Sequence, residues 1–150
     1  EGLTLQGGLA YAETQYDDFE AVDFFAPPRL PGSTISFAPR WSGTLAATYE
    51  TSFISDWDAR FNVSSRFTSK YNTGSNLDPL KEVEELVVVN ARMSFYSDNS
   101  PFELELWAQN LFDQDYTQVA INTPFVAPQQ TYSAYLAEPR TYGITVRAGF

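Results

Sequence analysis

Arg140-Thr141-Tyr142-Gly143-Ile144-Thr145-Val146-Arg147-Ala148-Gly149-Phe150 closes the sequence, and its reading decides the fold. From Tyr142 onward every second residue is apolar or aromatic: Tyr142, Ile144, Val146, Ala148 and Phe150. Between them fall Thr141, Gly143, Thr145, Arg147 and Gly149, which are polar or lack a side chain. A period of two sends successive side chains to opposite faces, so the stretch predicts a strand with one apolar and one polar face. The alternation stays in phase to an aromatic last residue, where the end of a water-soluble domain would be expected to fray.

The same alternation recurs upstream. Leu3, Leu5, Leu9 and Tyr11 oppose Thr4, Gln6, Gly8 and Ala10 in a strand predicted over Gly2 to Tyr16. Across Arg40 to Phe53, Trp41, Leu45, Ala47, Tyr49 and Phe53 oppose Ser42, Thr44, Thr48 and Glu50. Across Trp57 to Thr68, rings and aliphatics (Trp57, Ala59, Phe61, Val63, Phe67) oppose Asp58, Arg60, Asn62, Ser64 and Arg66. From about Glu85 to Tyr96, Val87, Val89, Ala91, Met93 and Phe95 oppose Asn90, Arg92 and Ser94. Finally Phe102, Leu104, Leu106 and Ala108 oppose Glu103, Glu105, Trp107 and Gln109. Six strands are predicted, with almost no helix. The connections alternate in length. Long ones, over 17–39, 69–84 and 113–138, carry turn formers such as Pro27, Pro28, Pro31, Asn72, Gly74, Asn76 and Pro79, while Ser55-Asp56 and Ser97 to Pro101 are short turns.

Composition narrows the class. A membrane-spanning helix needs roughly 20 consecutive apolar residues, whereas the longest apolar burst is Leu86-Val87-Val88-Val89. Mean hydropathy is -0.28 although 43% of the residues are hydrophobic and 16% aromatic. Those figures exclude helical spans and leave open a wall of strands, in which only alternate residues face lipid. Rings near the ends of the apolar faces, among them Tyr11, Trp41, Phe53, Trp57, Phe67, Phe95, Phe102, Tyr142 and Phe150, suit aromatic girdles at two membrane interfaces. A net charge of -10 argues against a nucleic-acid partner. With no histidine and no cysteine the usual zinc sites cannot be built, and a cysteine-free chain suits an oxidising compartment. No leader precedes Leu3, which already reads as strand, so an exported protein is expected to have lost its start and this chain to be a fragment.

Two segments resemble one family. Trp107-Ala108-Gln109-Asn110-Leu111-Phe112-Asp113-Gln114-Asp115-Tyr116 is similar to the Asn-Leu-Phe-Asp-x-x-Tyr motif in the penultimate strand of TonB-dependent outer-membrane receptors. Glu138-Pro139-Arg140-Thr141-Tyr142-Gly143, running on to Phe150, resembles the Pro-Arg lead-in to their last strand. Ala38-Pro39-Arg40-Trp41 and Val89-Asn90-Ala91-Arg92 look like earlier strands of the same family, so the likeness spans nearly the whole chain.

The resemblance implies an all-β fold: an antiparallel transmembrane β-barrel segment, the last six strands of a barrel of about 22, with long extracellular loops and short periplasmic turns. It implies a multi-pass protein of the Gram-negative outer membrane that imports a scarce solute, most often an iron-siderophore complex. The implied partners are lipid and lipopolysaccharide, the barrel-assembly machinery, and the TonB complex. TonB would engage an N-terminal region that, like the plug, is absent from this chain. Thr141, Gly143, Val146, Ala148 and Phe150 resemble the signal by which that machinery selects its clients. A passive porin or adhesin barrel and a soluble β-sandwich are the alternative readings.

No catalytic set or cofactor is expected. Glu103 and Glu105 lie on one strand face roughly 7 Å apart, but a polar interior predicts that they pair with Arg60, Arg66, Arg92 or Arg147, and no histidine serves as base. Asp17, Asp18, Glu20 and Asp23 lack the spacing of a calcium loop and read as a solvated acidic loop; Lys81-Glu82-Val83-Glu84-Glu85 reads as a solvated loop edge. Ligand contact is expected in the long connections, at Tyr71, Phe125, Tyr132 and Tyr135, whose rings carry a polar handle.

Overall fold

The structure, a computed structural model, describes residues 2–17, 32–74, 78–123 and 131–149. The described strands are β1 (Leu3–Tyr11), β2 (Trp41–Ile54), β3 (Trp57–Thr68), β4 (Tyr71–Asn72), β5 (Glu82–Val83), β6 (Leu86–Tyr96), β7 (Phe102–Gln109), β8 (Thr117–Asn122), β9 (Tyr132–Leu136) and β10 (Thr141–Ala148). Six of them form one sheet in the order β1-β2-β3-β6-β7-β10, every neighbouring pair antiparallel. The fold is all-β, as the alternation predicted. No described helix is long and apolar enough to cross a membrane.

The register joins like with like across all six strands. One row runs Leu5, Ala47, Val63, Ala91, Ala108, Tyr142, and the next runs Leu3, Tyr49, Phe61, Met93, Leu106, Ile144. On the other face Thr48, Asn62, Arg92, Trp107 and Gly143 form one row, and Glu50, Arg60, Ser94, Glu105 and Thr145 another. Because the side-chain period is two, a slip of one residue at any pairing would drive charges into the apolar face, which is what fixes the register.

No second layer covers the apolar face among the described residues. Leu5, Leu9, Leu45, Tyr142, Ile144 and Val146 stay between 60% and 79% exposed, and the buried hydrophobic residues are Ala59, Val83, Leu86 and Ala120. The chain exposes 11012 Å², against about 7,700 Å² for a compact monomer of its mass. An ordinary domain buries one face of its sheet against another element; here Trp41, Leu45 and Ile144 remain 43%, 60% and 69% exposed.

Among the described residues both edges of the sheet are open, since β1 pairs there only with β2 and β10 only with β7. All three long connections leave from one end of the sheet, where Tyr11 opposes Trp41 and Thr68 opposes Leu86, while both short turns lie at the other. A bulge between Ser52 and Ile54 leaves Phe53 unpaired just before the Ser55-Asp56 turn.

The structure revises several boundaries. β1 stops at Tyr11 rather than Tyr16, because its ladder with β2 ends at the Tyr11–Trp41 pair, followed by one further bond from the Ala12 N–H to the Arg40 carbonyl at 2.9 Å. Beyond it Gln15 makes an isolated bridge to Thr34. β10 is described to Ala148, and Phe150 lies outside the described residues, as do Phe125, Asp18, Glu20 and Asp23. The long connections hold structure of their own: β4 pairs with β5 and β8 with β9. A single turn of 3-10 helix spans Pro79–Lys81, started by Asp78, whose carboxylate accepts from the Leu80 backbone N–H, with proline at the first helical position. The solvated edge expected over 81–85 is corrected in part. Lys81 is 6% and Val83 4% exposed, and the second hairpin lies against the turn that carries Lys81, whose ammonium faces the Tyr132 ring.

Candidate functional site

Strands β2, β3, β6, β7 and β10 bring the ionic residues of the polar face together. Arg60 donates to Glu50 across the β2–β3 ladder at 2.6 Å, and its guanidinium lies 4.9 Å over the ring of Tyr96. Arg147 bridges Glu103 at 3.0 Å and Glu105 at 3.4 Å, the carboxylate pairing expected from the sequence. Asn62 donates to Thr48 at 2.8 Å, next along the β2–β3 ladder on the same face as the Glu50–Arg60 pair. Apart from Glu50 and Tyr96, these groups line, together with Arg92 and Ser94, an open concavity of about 420 Å³. Arg66, nearer the long connections, donates to the Tyr116 hydroxyl at 3.2 Å. Arg92 makes no ion pair among the described residues. The face carries Arg60, Arg66, Arg92 and Arg147 against Glu50, Asp58, Glu103 and Glu105 and is neutral, so the whole net charge of -10 lies outside it.

At the long-connection end two hairpins are tied into one body. The Thr73 hydroxyl donates toward the carbonyls of Lys81 and Ala120, at 3.1 and 3.3 Å, and accepts from the Ala120 N–H at 3.1 Å. Tyr132 donates to Asp78 at 2.6 Å, and the Lys81 ammonium lies 5.9 Å from the Tyr132 ring centre. The hydrogen bond holds the Asp78 carboxyl below the usual carboxylate range and raises the Tyr132 phenol above its ordinary value.

The Asn-Leu-Phe-Asp motif acts as a clasp at the base of the third connection. Asn110 is 5% exposed and has a left-handed backbone (φ 49°), which asparagine tolerates better than most residues. Its amide donates to the carbonyls of Gln114 (3.0 Å) and Glu138 (3.2 Å), and its side-chain oxygen accepts from Gln114 N–H at 2.9 Å. Its backbone N–H donates to Asn90 on β6 at 3.0 Å. Asp113 accepts from the Arg140 backbone N–H at 2.9 Å. Both feet of the connection are thereby held against each other and against the sheet.

The sequence-predicted residues fall at two places. Tyr71 sits on β4, its ring 6.4 Å from that of Phe37, and Tyr132 on β9 reaches Asp78, so each is engaged by a neighbouring segment. Tyr135 is 64% exposed and is not drawn into that cluster. On β10, Thr141 and Gly143 lie on the polar face, Val146 and Ala148 on the apolar one. Gly143 has a particular reason to be glycine: a Cβ there would lie 2.5 Å from the indole of Trp107, which donates to Thr145 at 3.2 Å. Sequence reading missed Thr73, Asp78, Gln109 and Gln118. Only Asp78, an Asp before Pro, carried a local signal, that of a helix start.

Among the described residues no group of three histidine, cysteine or acidic side chains is placed to hold a metal ion. No protein-family profile and no solved structure matches this chain. The class defined here is therefore an all-β protein built on a six-stranded antiparallel sheet with one apolar face and one polar face of balanced charge.

Proposed function

We propose that this chain forms the C-terminal part of the wall of an outer-membrane β-barrel of the TonB-dependent kind, which imports a scarce solute, an iron-siderophore complex by the resemblance, with energy coupled through TonB. The observation that carries the reading is an apolar face six strands wide left uncovered among the described residues, backed by a polar face of balanced charge on which Arg60 pairs with Glu50 and Arg147 with Glu103 and Glu105. Hydrocarbon covers the first at no desolvation cost, and a watery lumen suits the second. Ring pairs lie near both ends of the apolar face, Tyr11–Trp41 at 4.8 Å and Phe53–Phe95 at 5.2 Å. Twelve residues separate Trp41 from Phe53 on β2, about 40 Å along a strand, which a barrel tilt of 35–45° projects to about 30 Å, the thickness of a hydrocarbon core. The open edges of β1 and β10 call for further strands, because lipid cannot satisfy unpaired backbone groups. A soluble sandwich would need a second sheet over Leu45 and Ile144.

The test is uptake by cells carrying or lacking the full-length gene, with radiolabelled ferric siderophore as probe. Energy-coupled import predicts accumulation that disappears both on deletion and on collapse of the proton gradient. Accumulation that survives collapse would indicate a passive pore. A full-length protein that stays monodisperse without detergent would overturn the membrane reading itself.

A further inference from the structure

Beneath the third connection, on the polar face, lies a half-open pocket of about 130 Å³ lined by Asn90, Gln109, Asn110, Tyr116, Gln118 and Glu138, with Val88 and Pro139 as its apolar lining. Its floor is rigid, because every polar group of the Asn110 side chain is held by the clasp. Its rim is unspent. The carboxamides of Gln109 and Gln118 make no hydrogen bond among the described residues. Asn90 uses its oxygen on the Asn110 N–H and keeps its NH₂, and the Glu138 carboxylate makes no ion pair there. Tyr116 accepts from Arg66 and retains its own proton. Gln118 is the extra residue of a bulge in β8, where Thr117 opposes Leu136 and Val119 opposes Tyr135. A bulge re-aims one side chain out of the strand's alternation, here into the pocket.

From this arrangement we infer that the pocket is a subsite for a neutral, polyhydroxylated group of saccharide type. A planar amide offers a donor and an acceptor side by side, as does each hydroxyl of a sugar, and three amides converge here around a tyrosine ring on which a sugar face can stack. An anion is disfavoured by the Glu138 carboxylate, and the nearby Arg66 does not line the pocket. An apolar ligand would leave the three amides unpaired at the contact. The inference rests on the transport reading for its biological setting, since it places a sugar contact inside the wall below the connections, but binding itself does not depend on energy coupling.

Calorimetric titration of the purified full-length protein with maltooligosaccharides and galactooligosaccharides tests it. Ferric catecholate chelate and inorganic phosphate serve as comparison probes. At least one saccharide series should bind saturably, and Gln118→Leu and Gln109→Leu should each weaken it by about tenfold while the heat-modifiable barrel stays at its normal level. Binding that both variants leave intact overturns the assignment, as does the absence of saturable binding by either series. A chelate or phosphate affinity lost in the same variants overturns it too, because the pocket would then be an anion site. Saccharide binding with no energy-dependent uptake would sink the transporter proposal and leave the pocket standing.

Discussion

Gly143 has no room for a side chain, because the indole of Trp107 from the neighbouring strand lies across it and bonds to Thr145. The ring thus covers backbone that any larger residue at 143 would displace. Gly143→Ala forces the indole or the strand to shift, at a cost of about 1–3 kcal/mol typical of overpacking. The expected result is a lower urea midpoint for the detergent-folded full-length protein, recovered in large part when Trp107→Ala is added. An unchanged midpoint in the single variant would mean that the ring is not seated on β10. Lys81 teaches a related lesson: a lysine in an acidic run reads as solvated, yet it is buried because Tyr132, far away in sequence, closes over it.

Among the elements, the hairpins β4–β5 and β8–β9 stand or fall together through Asp78–Tyr132 and Thr73–Ala120. The depressed Asp78 pKa means that this link contributes fully above the ordinary aspartate range and is lost as pH falls through the lowered value. Tyr132, whose pKa is raised, stays a donor through neutral pH and past the ordinary phenol range. Protection of the backbone amides in 78–83 and 117–122, measured against their intrinsic exchange rates at each pH, should therefore fall on acidification in the native protein. In Tyr132→Phe that protection should already be low at neutral pH, with the acid-dependent loss reduced. Equal protection in the two proteins at neutral pH would show that the hairpins are joined by other contacts. The clasp at Asn110 is the corresponding device at the sheet, holding Gln114 and Glu138 where the connection leaves and returns.

For the whole molecule, the decisive quantity is the uncovered apolar face, and the prediction belongs to faces rather than to single contacts. Val146→Asp puts a charge among Leu104 and its row-mates, whereas Thr44→Asp puts the same charge opposite Arg66 on the polar face. On the outer-membrane reading proposed above, heat-modifiable barrel in outer-membrane fractions should fall strongly for Val146→Asp, and likewise on removal of Phe150, while Thr44→Asp remains near the native level. Equal loss, or equal tolerance, at the two positions would contradict a lipid-facing and a water-facing side.

The six strands of the main sheet, their faces and the alternation of long and short connections were legible in the sequence because period two is a local property: each side chain's face follows from its neighbours two residues away. Strand ends were less legible. Tyr11 closes β1 only because β2 begins at Trp41, and no residue near Tyr16 records that. What only the tertiary structure decided are the meetings across long separations. Tyr132 meets Asp78 54 residues away in sequence, Arg66 meets Tyr116 50 residues away, and Gln118 turns beneath the connection beside Asn90 and Gln109. Such contacts depend on sheet order and on a bulge, and sheet order is fixed by the joint register of six strands rather than by the composition of any one of them.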